Sequence, residues 1–66
     1  MKKFICYLPV FRKQHNLTQN DVAKLLNISR KTISNIENGN NTDLLTAFLL
    51  CEIFKCQIHD IFKLKK

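Results

Sequence analysis

Apolar residues recur at helical spacing in two adjacent stretches of this chain, and each stretch opens on the same kind of start signal. Leu17 and Val22 flank Thr18 and Asp21. A threonine N-cap, an acid at the reciprocal capping position and an apolar pair bracketing both predict a helix from Gln19 to about Leu26. The signature returns at Ser29, flanked by Ile28 and Ile33, and predicts a second helix from Arg30 to about Glu37. Between them stands Asn27, and asparagine tolerates the left-handed backbone of a tight turn better than any residue but glycine. Val22, Leu26, Ile33 and Ile36 can then face one core, with Ala23 offering no bulk where the helices cross. Arg30, Lys31, Thr32, Ser34 and Asn35 are left facing water.

The flanks carry weaker patterns. Phe4 to Leu8 is rich in strand-favouring residues; Pro9 is expected to push Leu8 out of helical geometry and to open a first helix reaching about His15, closed by Asn16. Downstream, Asn38-Gly39 reads as a left-handed helix stop and Asn40, Asn41 and Thr42 as polar loop. Thr42 or Asp43 caps a fourth helix from Leu44 to Phe54 that is apolar nearly all round. Lys55-Cys56-Gln57 connects it to a brief fifth helix with Ile58, Ile61 and Phe62 on one stripe and His59 and Asp60 outside. Phe62 to Lys65 alternates apolar and basic, the pattern of a half-buried strand, so the two chain ends are expected to pair as a small antiparallel ribbon. A disordered basic tail is the competing reading for Lys63 to Lys66.

Composition narrows the function classes. At 66 residues the chain reads as one domain, 1–66, near the lower size limit for folding without metals, disulfides or a partner. The net charge of +6 suits a polyanionic partner. Apolar runs are too short for a membrane span, and Arg12 and Lys13 interrupt any signal-peptide layout, so a cytoplasmic protein is expected. Cys6, Cys51 and Cys56 form no Cys-x-x-Cys pair, and their odd count argues for reduced, buried thiols. His15 and His59 lack ligand-like neighbours, and no metal or cofactor is expected. With one glycine, no clustered carboxylates and no serine beside an obvious base, the chain is not expected to be an enzyme.

A water-facing row of Arg, Lys, Thr, Ser and Asn has the chemistry that reading base edges requires. Arginine and lysine donate to guanine, asparagine pairs with adenine, and hydroxyls serve either. Arg30, Lys31, Thr32 and Asn35 are the candidate base contacts, Lys31 and Asn35 foremost. Through Leu17-Thr18-Gln19, Val22-Ala23-Lys24-Leu25-Leu26, Ile28-Ser29-Arg30-Lys31-Thr32-Ile33-Ser34 and Ile36-Glu37-Asn38-Gly39, the chain resembles the phage-repressor family (lambda repressor and Cro, XRE-type) of helix-turn-helix regulators. The likeness continues from Phe11-Arg12 through Asp60-Ile61-Phe62.

This resemblance implies an all-α, compact five-helix, lambda-repressor-like domain that binds double-stranded DNA, usually as a homodimer on an inverted-repeat operator. It implies a backbone contact from Gln19; Ser29, Ser34 and the amides of Asn38, Asn40 and Asn41, which can donate to phosphate, are the other candidate backbone contacts. It also implies an ion pair between Arg12 and Glu37 that ties the first helix to the third; the bland alternative is two solvated surface charges. The chain departs from the family after Gly39, where Asn40, Asn41 and Thr42 replace the usual basic residue and proline, and weaker backbone clamping is expected. Leu45 and Leu49 stand where relatives tend to carry polar residues, so with Ile58 they are the expected dimer interface, against the plainer reading of an interior helix. No inducer site is evident, which leaves control by concentration or by a regulatory protein partner, and repression is favoured because occupancy alone blocks polymerase. The rivals are an antitoxin-like partner and an interaction module that keeps the fold without reading DNA.

Overall fold

The computed structural model describes residues 4–40 and 42–64. Its elements follow the order β1 (Phe4–Cys6), α1 (Leu8–Gln14), α2 (Gln19–Leu26), α3 (Arg30–Glu37), α4 (Leu44–Phe54), α5 (Ile58–Ile61) and β2 (Phe62–Leu64). The helices start where side chains can satisfy their free N–H groups. The Thr18 hydroxyl accepts from the Asp21 N–H at 3.0 Å while the Asp21 carboxylate accepts from the Thr18 N–H at 2.9 Å, a complete capping box on α2. Ser29 caps α3 by accepting from the Thr32 N–H at 3.1 Å, and Asp43, not Thr42, caps α4 by accepting from Thr46 at 2.9 Å.

Four helices end on left-handed residues: Asn16 after α1, Asn27 after α2, Gly39 after α3 and Lys55 after α4. In each case the following N–H reaches back to a carbonyl of the last turn. Leu17 donates to Arg12, Ile28 to Ala23, Asn40 to Asn35 and Cys56 to Cys51, all between 2.9 and 3.1 Å. This closure satisfies helix-end carbonyls and reverses the chain within two residues. It explains how a chain this short turns four times. Lys55 was not anticipated in this role, since the left-handed region is costly for a residue with an ordinary Cβ.

The chain ends pair as expected. β1 and β2 form an antiparallel ribbon with Phe4 opposite Leu64, Ile5 opposite Lys63 and Cys6 opposite Phe62. Phe4 and Phe62 meet edge to face at 5.3 Å, and the Tyr7 N–H donates to the Ile61 carbonyl at 2.7 Å, fastening the start of α1 to the end of α5. Lys65 and Lys66, at the tail, lie outside the described residues.

Leu8, Val22, Ala23, Ile33, Leu50, Phe54 and Ile61 form the core cluster, with Ile36 and Ala47 also buried. Leu8 corrects the sequence reading. It is the first residue of α1, with Pro9 inside the first turn, and it is fully buried. The restriction that proline imposes on its predecessor is a bias, and here burial of a leucine in the central cluster outweighs it. The cysteines are a second correction: all three are free, but none is fully buried.

The caps make stability pH-dependent. Hydrogen bonds from Thr46, its side chain foremost, hold the Asp43 carboxyl below the usual carboxylate range, and hydrogen bonds from Thr18, its backbone foremost, do the same for Asp21. Both folded-state values lie below the unfolded ones, so their contribution is complete above about pH 4 and is lost as pH falls through the lowered folded values. Asp43→Asn keeps a good cap and should leave stability near neutral pH almost unchanged while flattening its decline in acid. Denaturation midpoints measured from pH 5 down to about pH 2 check this; equal acid slopes for both proteins would contradict it.

Candidate nucleic-acid interface

The region around α2 and α3 is built from apolar contact below and polar groups above. Ile33 and Ile36 turn the inner side of α3 into the core, and both are buried. Helical spacing then puts Lys31, Asn35 and Asn38 on the opposite, outward row, and all three are exposed. Arg30 and Thr32 flank that row and are also exposed; Ser34 is half-buried, so it faces water less than its sequence position implied. Asn40 is exposed just past the helix stop, while Asn41 lies outside the described residues. A short helix thus presents two cations and a set of amides and hydroxyls on one side.

Several of these groups already have partners. The Ser29 hydroxyl caps α3 and also shares a 2.9 Å hydrogen bond with the Thr32 hydroxyl, which turns Thr32 toward the start of its own helix. The Asn40 N–H is used in the α3 closure. Lys31 and Asn35 have no side-chain partner among the described hydrogen bonds.

Glu37 anchors the other end of α3. Arg12 donates from Nε to Oε2 at 2.6 Å and from Nη2 to Oε1 at 3.2 Å, a two-pronged pair between α1 and α3. Arg12 Nη1 also donates to the Leu17 carbonyl at 3.1 Å, holding the turn between α1 and α2. The side chains of Arg12 and Glu37 are 14% and 7% exposed, so the reading of two solvated surface charges does not hold.

The sequence reasoning missed how far this network extends. Gln19 Nε2 donates to Glu37 Oε1 at 2.9 Å, and Gln19 Oε1 accepts from Arg30 Nη1 at 3.3 Å. Gln19 therefore links the start of α2 to both ends of α3. Its amide, expected at a phosphate, is engaged within the protein, and it steers the Arg30 guanidinium at the entry to the outward row. A glutamine opening α2 and an acid ending α3 were the available signals, but nothing local joins positions so far apart.

A second exposed face, on α4, is apolar. On α4 the stripe of Ala47, Leu50 and Phe54 is buried, whereas Leu44, Leu45 and Phe48 are 68%, 65% and 55% exposed and Leu49 is 37% exposed. Ile58 is partly exposed and lines an apolar groove with Phe4, Ala47, Phe62 and Leu64. His15 is exposed at the end of α1, hydrogen-bonded through Nδ1 to the Phe11 carbonyl at 2.9 Å and set edge-on to Phe54. Among the described residues there is no group of three or more His, Cys, Asp or Glu side chains that could hold a metal ion. No helix among them is long and apolar enough to cross a membrane.

Comparison with known proteins agrees with this geometry. A helix-turn-helix family model matches residues 11–61, from the middle of α1 to the end of α5. An uncharacterized HTH-type transcriptional regulator of Methanocaldococcus jannaschii is 46% identical over 56 residues, covering 83% of this chain and 85% of its own length. A second such regulator, from Archaeoglobus fulgidus, is 38% identical over 53 residues, 79% of this chain and 75% of its own length.

The burial of the ion pair has a measurable consequence. Removing one partner of a fully buried pair costs about 3 kcal/mol or more and of an exposed pair less than about 1 kcal/mol, and this part-buried pair stands between them. Glu37→Gln should lower the stability measured by urea denaturation by about 1–3 kcal/mol. A loss of less than about 0.5 kcal/mol would be the behaviour of an exposed pair and would contradict the burial seen here.

Proposed function

The chain belongs to the helix-turn-helix family of DNA-binding transcriptional regulators, and on that premise we propose that it binds an inverted-repeat operator as a homodimer and represses transcription there. The observation that carries this reading is the division of α3 into a buried side, Ile33 and Ile36, and an outward polar row, Lys31, Asn35 and Asn38. α3 enters the major groove. Lys31 donates to guanine and Asn35 pairs with adenine, with Arg30, aimed by Gln19, and Thr32 reaching the bases at its edges. Ser29, Ser34, Asn38, Asn40 and Asn41 contact the DNA backbone. Gln19 does so once its amide gives up part of its internal bonding. The net charge of +6 supports association with phosphate of any sequence, and base contacts then select the site.

The exposed face of α4 supports the dimer. Leu44, Leu45, Phe48 and Leu49 form one run of exposed apolar side chains along α4, the kind of patch that marks a protein contact. Leu45, Leu49 and Ile58 form the contact between copies, and two recognition helices set about 34 Å apart meet successive major grooves. Repression needs only occupancy of the operator, with control by protein concentration or a regulatory protein partner, in the cytoplasm. The chemistry proposed is recognition and not catalysis.

Selection of bound sequences from a random duplex pool at near-physiological salt tests the function. An enriched inverted repeat is the expected result; no enrichment, with binding that disappears on modest addition of salt, would reduce the interaction to electrostatics and redirect attention to a protein partner for α4. On the selected site, Asn35→Ala should weaken binding by about 1–3 kcal/mol and relax preference at one base pair in each half-site. Unchanged affinity and preference would remove Asn35 from the interface. For the dimer, Leu49→Glu should shift sedimentation of the free protein to the monomer; wild-type chain that is monomeric at micromolar concentration would contradict the proposed contact.

A further inference from the structure

The closure of α4 brings together two side chains that the DNA-binding reading does not use. Lys55 adopts the left-handed conformation at φ 52°, and the Cys56 N–H donates to the Cys51 carbonyl at 3.1 Å. In a closure of this type the residue supplying the carbonyl and the residue supplying the N–H also meet through their side chains, usually as an apolar contact. Here both are cysteines. Both thiols are free and partly exposed, and each is among the groups that shift the other's ionisation. They line one open depression with Phe48, Glu52, Lys55 and Asp60, so a small reagent has access to either sulfur.

We infer that Cys51 and Cys56 form a reversible intrachain disulfide site, an oxidisable dithiol built into the joint between α4 and α5. The oxidant is a low-molecular-weight disulfide. One protein thiolate attacks it, forming a mixed disulfide and releasing one small thiol. The second protein thiolate attacks the protein sulfur of that mixed disulfide and displaces the other small thiol. The chain loses two protons and two electrons, and the small disulfide takes them up to become two thiols. The backbone hydrogen bond holds the partners together before reaction, so the second, intramolecular step outruns capture by another chain. The cross-link pins the turn that carries α5, beside Phe48 on the open face of α4.

Cys6 provides an internal contrast. Burial pushes its thiol up to about 11, and it stands on β1 with Phe62 opposite. Desolvation raises Cys51 and Cys56 as well, though from a far more open position, so mildly alkaline buffer is the suitable condition.

The sequence supplies a clean assay. Trypsin cuts after Lys55, which separates Cys51 on the peptide 32–55 from Cys56 on the peptide 56–63, while Cys6 stays on the peptide 4–12. Folded protein is incubated with glutathione disulfide, its intact mass recorded, and the remaining thiols alkylated in denaturant before digestion. The expected result is a monomer lighter by two hydrogens, whose peptides 32–55 and 56–63 remain joined until a reductant is added, with Cys6 alkylated. Cys51→Ser, checked by circular dichroism to retain the helical fold, should give only a mixed disulfide at Cys56 or no product. Persistent mixed disulfides in the unsubstituted chain, covalent dimers, linkage through Cys6 or no reaction would each overturn the inference.

Discussion

One carboxylate, Glu37, ties α1, α2 and α3 together. It accepts from Arg12 on α1 and from Gln19 on α2 while standing at the end of α3. In a chain with so small a core, the apolar contacts of Ile33 and Ile36 fix which side of α3 is inward, but they do not fix its tilt or its distance from α1. The charged pair does, because a guanidinium fork meets a carboxylate in only one plane. Arg12 also holds the Leu17 carbonyl, so the same side chain sets the turn leading into α2. Gln19 carries the constraint on to Arg30. The side chain at the entry to the outward row is therefore aimed by groups that are themselves immobilised, which lowers the entropy lost when it meets a ligand.

The two amphipathic surfaces of the molecule follow from one economy of packing. A chain of 66 residues has enough apolar side chains to bury one stripe on each helix, and α3 leaves polar groups outside while α4 leaves leucines and a phenylalanine. The first arrangement suits a hydrated, charged partner and the second suits an apolar one. These faces belong to different helices, so a contact on α4 leaves the outward row of α3 uncovered. The oxidisable pair sits at the far end of α4, where the helix stops in a left-handed lysine rather than a glycine.

Most of this was legible in the chain because most of it is local. The caps at Thr18, Ser29 and Asp43 and the stops at Asn16, Asn27 and Gly39 depend on residues within one turn of each other. The ribbon was legible for another reason: strand-favouring residues marked one chain end, apolar-basic alternation marked the other, and neither had another partner. The misses share a cause as well. Leu8 is helical because a core formed by distant residues absorbs it, and no local rule reports that. The Gln19 bridge spans 18 positions to Glu37 and 11 to Arg30, so it exists only once α2 and α3 have docked. The exposure of Cys51 depends on helix rotation, which a nearly all-apolar helix such as α4 does not reveal by its periodicity. Lys55 carried no turn signal of its own.

The central claim is that the polar row held out by Ile33, Ile36 and Glu37 is the surface that meets DNA. It is tested most directly by following backbone amide resonances of the protein while duplex DNA is added at low salt, where even non-specific contact is strong. The account predicts that the largest shifts cluster at Gln19, from Ser29 through Asn35, and at Asn38, with α5 and the ribbon little affected. Shifts concentrated on α4 and α5, or none at any duplex concentration, would contradict it.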